Sequence, residues 1–271
     1  MPFGYAPDKV LRKDIIKRVI GWPNLVRRLQ APVIMRMLSL TPEDRVLDVG
    51  GGGGHFALEI ARRCQLCVGL DLITLDSIHS VARVRKNTSF LVADARYIPL
   101  PDATFDKLLL SSVLQMIPGD SQALKECTRT LQSGGKLVLS VPLDYVLIRR
   151  LYRNGSGRLR KGLRWLKLPA TYSELKQDFG RRFGAEGQGY YTLDGITKLL
   201  ENHEFEIEAV ECAPKKLGSI LFELYLLFCN KLQLKLHSRW GFPFLYPIAY
   251  FDRFLGKDSM GCEVVISAVK R

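Results

Sequence analysis

Five consecutive glycines follow a short apolar segment and directly precede a predicted helix. The segment contains Asp48, and the glycines are Gly50, Gly51, Gly52, Gly53 and Gly54. Glycines at a strand-to-helix turn let the backbone approach a ligand closely and present the amides of the helix N-terminus. A dinucleotide fingerprint G-x-G-x-x-G that starts at Gly50 would need a glycine where His55 stands. The spacing fits D-x-G-x-G-x-G instead, which indicates a nucleotide-like cofactor of another kind.

Two more carboxylates stand at the ends of the next two apolar strands. Asp71 ends the second predicted strand, where it would lie beside the glycine loop and accept hydrogen bonds from both ribose hydroxyls. Asp94 ends the third, where the amino group of an adenine would lie, although a turn or helix cap is the alternative for this residue. An acid after the third strand as well as the second favours S-adenosylmethionine over NAD.

These motifs together resemble the class I S-adenosylmethionine-dependent methyltransferases, and most closely the group that includes the ubiquinone and menaquinone biosynthesis methyltransferases. The similar segments are residues 46–56, the strand end at Asp71, residues 93–106, and the turn at residues 131–137, which is similar to L-x-P-G-G. The resemblance covers about residues 44–142 and the closing strands. It implies S-adenosyl-L-methionine as cofactor and methyl transfer as the reaction.

The resemblance also implies a role for each motif. Asp48 and the glycines would surround the methionine moiety, Asp71 with Leu72 the ribose, and Asp94 with Ala95 the adenine. The floor near the sulfonium would be formed by Ser111, Ser112 and Gln115. This sequence has Gln115 and Met116 where many relatives carry a histidine after the fourth strand, so no catalytic part of that histidine transfers to this chain.

The pattern from residue 44 onward predicts an α/β fold with a doubly wound, mostly parallel seven-stranded sheet of the Rossmann-like methyltransferase type, with helical lid insertions. Short apolar runs alternate with helical periodicity, which is typical of βαβ units. The predicted strands are residues 45–49, 66–70, 89–93, 105–111, 136–141, 204–212 and 262–269, and the predicted helices are residues 56–63, 75–85, 121–131 and 193–202.

The domain organisation follows from the same pattern. Residues 1–43 form a predicted N-terminal helical cap, in which Pro23 and Pro32 divide the chain into separate helices. Residues 44–271 form the methyltransferase domain, and its insertions at 145–190 and 214–261 interrupt the strand–helix alternation. Because both insertions leave the carboxyl edge of the sheet, where ligands of open α/β sheets bind, they are predicted to form a lid over the acceptor.

The predicted catalytic machinery is sparse, because the sulfonium is already electrophilic and the protein must mainly align the reactants and exclude water. Candidates for an acceptor-side group are Tyr190, Tyr191 and His237, with core packing as the alternative for the tyrosines. Cys64 and Cys67 form a CxxC without a second pair of ligands, so we predict buried structural cysteines and no metal site.

The charge distribution suggests what the lid contacts. The chain has 40 Lys and Arg against 27 Asp and Glu, a net charge of +13, which attracts polyanions. Residues 145–173 contain no acid and eight basic side chains interleaved with apolar ones, as in helices that lie on membranes. The second insertion is rich in leucine and aromatic residues. An ordinary helical lid with a solvated basic face is the alternative.

The sequence therefore predicts methylation of a small, hydrophobic or lipid-like acceptor by a cytoplasmic protein peripheral to an anionic membrane surface. No export signal and no apolar stretch of bilayer-spanning length is visible. One alternative is an RNA methyltransferase, which the absence of an N-P-P-Y or D-P-P-Y motif after the fourth strand disfavours. Another is a cofactor-binding scaffold without catalysis, which an obstructed acceptor cavity would favour.

Overall fold

The computed structural model describes residues 25–73, 85–143, 157, 161, 191–215, 218–221 and 261–271. The seven named strands are β1 Arg45–Val49, β2 Leu66–Asp71, β3 Thr88–Val92, β4 Phe105–Ser111, β5 Leu131–Pro142, β6 Phe205–Cys212 and β7 Glu263–Lys270. The named helices are α1 Leu25–Leu38, α2 His55–Ile60, α3 Asp120–Thr130 and α4 Leu193–Glu201, with a 3₁₀ turn at Leu114–Met116.

The strands form one sheet in the order β3-β2-β1-β4-β5-β7-β6. Strands β1 to β5 are parallel, and β7 runs antiparallel to both of its neighbours, β5 and β6. This arrangement confirms the predicted doubly wound, mostly parallel seven-stranded sheet. The strand order reverses between β1 and β4, and the crevice at the carboxyl ends of these two strands is where such sheets bind ligands.

The central strands are apolar on both sides because helices cover both faces of the sheet. Successive side chains of a strand point to opposite faces, so Val46 and Leu47 of β1 enter two different cores. One core includes Leu124 of α3 and Leu200 of α4. The other includes α1 and α2, which are represented by Ile34, Leu38, Phe56 and Ile60. The helices therefore hold the carboxyl edges of β1 and β4 rigidly in place.

The prediction that Pro32 separates two helices is wrong. Pro32 lies inside α1, a helix of 14 residues. A proline removes one backbone hydrogen bond, but Pro32 is exposed, so water can solvate the carbonyl that loses its partner. Burial of Ala31, Ile34 and Leu38 against the sheet holds the helix together on its other side. Pro23 lies outside the described residues.

The observed element ends differ most from the prediction at β5, which begins at Leu131 rather than residue 136. Leu131 pairs with Phe105 before an irregularity in the β4–β5 ladder, and the regular register resumes at Lys107. The residues that follow Leu131 are polar or glycine, so the apolar pattern of the sequence did not predict this early pairing. The predicted helix at 75–85 and most of both insertions lie outside the described residues.

The roots of the two insertions lie side by side at the carboxyl end of β5. The N–H of Leu143 donates to the carbonyl of Cys262 at 2.9 Å, and Leu143 forms a parallel bridge with Tyr191. On the other side, the Oγ of buried Ser219 accepts the N–H of Cys262 at 2.8 Å. Both insertions therefore start and end at the same edge of the sheet as the glycine loop.

Candidate active site

The glycine loop is fastened to the end of β2 by its own backbone. The N–H groups of Gly50 and Gly51 donate to the carbonyl of Leu70 at 2.7 and 3.2 Å, and the N–H of Gly52 donates to Oδ2 of Asp71 at 2.8 Å. Gly50 has φ +69°, and a Cβ there would lie 2.2 Å from Cγ2 of Val113. Only glycine can therefore occupy this position, because Val113, two residues after the end of β4, packs directly on the loop.

The opposite side of the loop is open to a ligand. Gly52 has φ +53°, and an added Cβ would meet no atom of the described residues within 4 Å. The carboxylate of Asp71 lies next to it and also accepts the N–H of Ile73 at 3.3 Å. Backbone amides and a carboxylate therefore border a space that is accessible to a polar ligand such as a ribose.

An exposed apolar surface continues from Asp71 along the carboxyl ends of β2 and β3. In the described part of the chain, four of the five exposed large apolar side chains lie there: Leu72, Ile73, Val92 and Tyr97. Val92 is the register partner of Asp71 across the β2–β3 ladder. Apolar side chains next to one or two polar groups are typical of a binding site for a flat heterocycle. The predicted contacts of Leu72 and Asp71 with a nucleoside are thus compatible with this surface.

Asp94, the second carboxylate that is predicted to contact the nucleoside, already has a partner within the protein. Nε and Nη2 of Arg96 donate to its carboxylate at 2.6–3.1 Å, and these hydrogen bonds lower the pKa of Asp94. Arg96 also donates to the carbonyl of Pro118 at 3.3 Å and so joins this turn to the loop before α3. The adenine contact of Asp94 and of buried Ala95 remains a prediction. A carboxylate has about four acceptor positions, so the ion pair leaves it feasible.

Asp48 is a buried carboxylate with an unsatisfied oxygen. It is 1% exposed, and its Oδ2 has no hydrogen-bond partner among the residues that the structure describes. Burial raises the pKa of Asp48 to about 7, although nearby Arg27 and a hydrogen bond from the backbone of Ala57 oppose the shift. Leaving a buried polar atom unpaired costs about 1–3 kcal/mol. The site therefore favours a ligand with a cationic donor, and the α-ammonium group of S-adenosylmethionine is one.

The remaining predicted residues lie at the end of β4. The hydroxyl of Ser111 is buried between Arg27 and Ser140, and Ser112 adopts φ +50°, which is rare for a residue with a side chain. The N–H of Ser112 donates to the carbonyl of Ser140 at 2.9 Å. Gln115 is 4% exposed, and its Oε1 is a second buried oxygen that finds no hydrogen-bond partner in the described ranges. The structure thus brings Ser111, Ser112 and Gln115 to the crevice next to the glycine loop.

Sequence reasoning missed three polar residues at this edge. Arg27 of α1 donates to the carbonyl of Ser111 at 2.7 Å and also to its hydroxyl. Gln30 of α1 donates to Oε2 of Glu263, the first residue of β7, and the hydroxyl of Ser112 donates to the same oxygen at 3.0 Å. The partner of Arg27 lies 84 residues away in the sequence, and the partner of Gln30 lies 233 residues away. No local motif could therefore have indicated these contacts.

The histidine that begins α2 is not a cation at neutral pH. Burial and the nearby charge of Arg27 lower the pKa of His55 to about 4. The N-cap of α2 is Gly54 and not His55. A neutral imidazole adds no positive charge next to the glycine loop, where the predicted methionine moiety carries a sulfonium that a cation would repel.

Among the candidate catalytic residues, the structure describes only Tyr191; Tyr190 and His237 lie outside the described residues. Tyr191 is 5% exposed, and its hydroxyl donates to Oδ2 of buried Asp120 at 2.7 Å. Burial and this hydrogen bond raise the pKa of Tyr191. The phenol therefore packs in the core between the root of the first insertion and α3. Cys64 and Cys67 are also buried, and burial raises the pKa of Cys64 to about 11.

Comparison with known proteins shows similarity to methyltransferases over the part of the chain that contains this site. Residues 47–139 match the family described as a methyltransferase domain. The chain is 29% identical over 126 residues to the ubiquinone/menaquinone biosynthesis C-methyltransferase of Teredinibacter turnerae, an alignment that covers 42% of this chain and 49% of that protein. It is 30% identical over 139 residues to the demethylmenaquinone methyltransferase of Renibacterium salmoninarum, with 50% of this chain and 54% of that protein covered. This chain thus spans about half the length of these curated relatives.

The fold has counterparts among solved structures. An S-adenosylmethionine-dependent methyltransferase from Mesorhizobium loti superimposes with a TM-score of 0.57 and 18% identity, over 89% of this chain and 98% of that one. The matched residues 47–139 contain the glycine loop, Asp71, Asp94 and the end of β4. Residues 47–139 are therefore a methyltransferase domain, similar to the class I S-adenosylmethionine-dependent methyltransferases near the ubiquinone and menaquinone biosynthesis group that the motifs predicted, and this similarity implies S-adenosyl-L-methionine as cofactor.

Proposed function

We propose that this protein methylates a small apolar acceptor of the quinol type. The proposal depends mainly on one observation: the segment that matches the methyltransferase family, residues 47–139, contains the glycine loop and Asp71, which a hydrogen bond joins. The acceptor class is supported by the names of the relatives, which place those proteins in ubiquinone and menaquinone biosynthesis. A hydrophobic acceptor also agrees with the apolar composition of the second insertion.

The residues at the crevice would divide the work of alignment. Asp71 and the glycine amides would hold the nucleoside, and Asp48 would hold the methionine ammonium group. When bound, the cofactor supplies an electrophilic methyl group, so the protein needs to orient the acceptor and exclude water. Ser112 and Gln115 at the end of β4 are the described polar groups that would face the reacting end.

The insertions at 145–190 and 214–261 would form the lid over the acceptor, and the basic side chains of the first would dock on an anionic membrane. The adjacent roots at Leu143 and Cys262 support a shared lid, since the first insertion begins and the second ends at this point. The lid residues themselves lie almost wholly outside the described part. Within that part, no helix is long and apolar enough to cross a membrane.

The test is a product assay with a panel of acceptors. Purified protein and methyl-labelled S-adenosylmethionine are incubated with a reduced demethylmenaquinone, a polyprenyl benzoquinol and bulk transfer RNA, and the products are separated by mass. We expect label in a quinol and none in the RNA. Label in RNA alone would contradict this proposal and indicate an RNA methyltransferase. Tight binding of S-adenosylhomocysteine without any labelled product would favour the scaffold. Asp71→Ala serves as the control with weakened cofactor binding.

A further inference from the structure

The N-terminal helix α1 places a cation at the cofactor crevice. Arg27 donates from Nη1 to the carbonyl of Ser111 at 2.7 Å and to the Ser111 hydroxyl. Ser111 is the last residue of β4, and the switch point of the sheet lies between β4 and β1. Arg27 itself lies outside residues 47–139, the segment matched by the methyltransferase family. The family comparison therefore assigns it no role.

The charges next to Arg27 form a pattern that suits one kind of ligand. The carboxylates of Glu263 and Asp48 both stabilise its charge against the cost of burial. Glu263 accepts hydrogen bonds from Gln30 and Ser112, whereas Oδ2 of Asp48 is buried and has no partner within the described part of the chain. A cation next to a carboxylate with an unsatisfied oxygen complements a ligand that bears both a carboxylate and an ammonium group. An α-amino acid has that combination.

The position of Arg27 is fixed by the helix that carries it. Gln30 lies about one turn further along α1 and joins the helix to the start of β7. Val26, Ala31, Ile34 and Leu38 are buried, with exposures of 3% or less. A guanidinium that is already held in place loses little conformational freedom when a ligand binds, so more of the interaction appears as affinity.

Electrostatics restricts which part of the cofactor Arg27 can face. S-adenosylmethionine carries a sulfonium and an ammonium group, both positive, and one carboxylate. A guanidinium in a poorly solvated crevice repels the first two and attracts the third. Its planar arrangement of five N–H donors also matches the two oxygens of a carboxylate.

We propose that Arg27 binds the α-carboxylate of the methionine moiety while Asp48 binds its α-ammonium group. This inference rests on the proposed function and names a cofactor-binding residue from outside the family segment. The pair makes the crevice selective for an intact amino acid, so adenosyl sulfides that lack the carboxylate are bound weakly. Glu263 is then a positioning residue, because it holds α1 through Gln30 and balances the charge of Arg27.

The experiment compares two ligands by isothermal titration calorimetry. One is S-adenosylhomocysteine, and the other is its decarboxylated analogue, which keeps the ammonium group. Because a hydrogen bond to a charged group contributes strongly, we expect the wild-type protein to bind S-adenosylhomocysteine with about 10- to 100-fold higher affinity than the analogue. Arg27→Ala should abolish this preference and leave the affinity for the decarboxylated analogue nearly unchanged. Arg27→Lys should keep part of the preference, because an ammonium side chain preserves the charge but not the planar donor pair.

A matched control lies on the same helix. Arg36 is exposed and pairs with Glu211 on the surface, away from the crevice, so Arg36→Ala should retain the full preference. Arg27→Gln provides a second variant that can still donate to Ser111, in case Arg27→Ala unfolds. Thermal unfolding shows which variants are folded.

The outcomes separate this inference from the proposed function. If folded Arg27 variants keep the wild-type preference, or lose affinity for both ligands equally, Arg27 only balances the buried carboxylates and the inference fails while cofactor binding stands. If the wild-type protein binds neither ligand, the proposed function fails together with the inference. A loss confined to the carboxylate-bearing ligand supports it.

Discussion

The N–H of Gly52 and Oδ2 of Asp71 are joined by a hydrogen bond of 2.8 Å. One carboxylate thus closes the glycine loop onto β2, and it is the carboxylate that we predict binds the ribose. Asp71→Asn can keep the bond to Gly52 through its amide oxygen, but it loses the charge and one acceptor. We expect the affinity for S-adenosylhomocysteine to fall by about 1.5–3 kcal/mol, with a much smaller change in the free energy of unfolding. Titration calorimetry and urea unfolding measure the two quantities, and an unchanged affinity would remove Asp71 from the site.

The contact between the glycine loop and β4 predicts a severe effect of a single methyl group. Gly50→Ala places a Cβ 2.2 Å from Cγ2 of Val113 at φ +69°, so it should destabilise the fold by about 2–4 kcal/mol and weaken cofactor binding. Gly134→Ala is the matched control. Gly134 has φ +73°, but no described residue has an atom within 4 Å of the added Cβ, so only about 1 kcal/mol of backbone strain is expected. Equal losses in the two variants would show that packing on Val113 is unimportant. Urea unfolding midpoints decide between these results.

Cofactor affinity should depend on pH through Asp48. Its pKa of about 7 means that the carboxyl is mostly protonated at pH 6 and mostly ionised at pH 8. An ammonium group binds the ionised form, so the affinity for S-adenosylhomocysteine should rise towards pH 8 and fall by about tenfold per pH unit well below 7. Calorimetry near pH 6.5 in buffers of different ionisation enthalpy should detect proton release upon binding. Asp48→Asn should bind weakly and show neither effect. Binding without proton release in the wild-type protein would contradict the assignment.

The same group predicts how stability changes with pH in the absence of ligand. Unfolded Asp48 releases its proton near 3.8, whereas the folded protein retains it up to about pH 7. Between these values the folded state binds more protons than the unfolded state, so the contribution of Asp48 to stability falls as the pH rises and is lost above pH 7. Asp48→Asn should therefore be relatively more stable than the wild-type protein at pH 8 than at pH 5. Urea unfolding at both values tests the sign.

Tyr191 should matter for stability and not for the chemical step. Its hydroxyl donates to Asp120 at 2.7 Å within the core. Tyr191→Phe leaves a buried carboxylate oxygen without this donor, so the free energy of unfolding should fall by about 1–3 kcal/mol. Methyl transfer per folded molecule should be unchanged at temperatures well below unfolding. Tyr191→Leu, which also removes the ring, should lose more stability. A large drop in rate with unchanged stability would restore Tyr191 as a catalytic candidate.

The sequence predicted the sheet well because its signals are local. Strands β1 and β4 begin and end where the apolar runs at residues 45–49 and 105–111 do. The position of Asp71 followed from its place at a strand end beside a glycine-rich turn. Pro32 was misinterpreted because a proline breaks a helix only when the lost hydrogen bond matters, and this depends on which side faces water.

The polar side of the crevice could not be predicted for a different reason. The contacts of Arg27 with Ser111 and of Gln30 with Glu263 join elements far apart in the chain. They arise only once α1 packs on β5 and β7, and no spacing in the sequence encodes that packing. By contrast, Asp94 and Arg96 are only two residues apart, so their ion pair is a local contact, although it was not predicted.

The last prediction concerns the membrane and follows from residues 145–173, which carry eight basic side chains and no acid. Each Lys or Arg near an anionic bilayer contributes about 1 kcal/mol, so even partial engagement would hold the protein reversibly. Co-sedimentation with liposomes should increase with phosphatidylglycerol content and decrease with salt, because exposed charges are screened. The triple variant Arg158→Glu, Arg160→Glu, Lys161→Glu should remain in the supernatant and bind S-adenosylhomocysteine normally.

The matched control reverses the charges of Arg45, Arg63 and Lys86. These exposed residues lie at or just before the starts of β1, β2 and β3 and therefore at the opposite edge of the sheet. It has the same net charge as the first variant and should still sediment. Equal release of both variants would show that total charge, and not the first insertion, determines binding, and a wild-type protein that ignores anionic liposomes at low salt would favour a soluble acceptor.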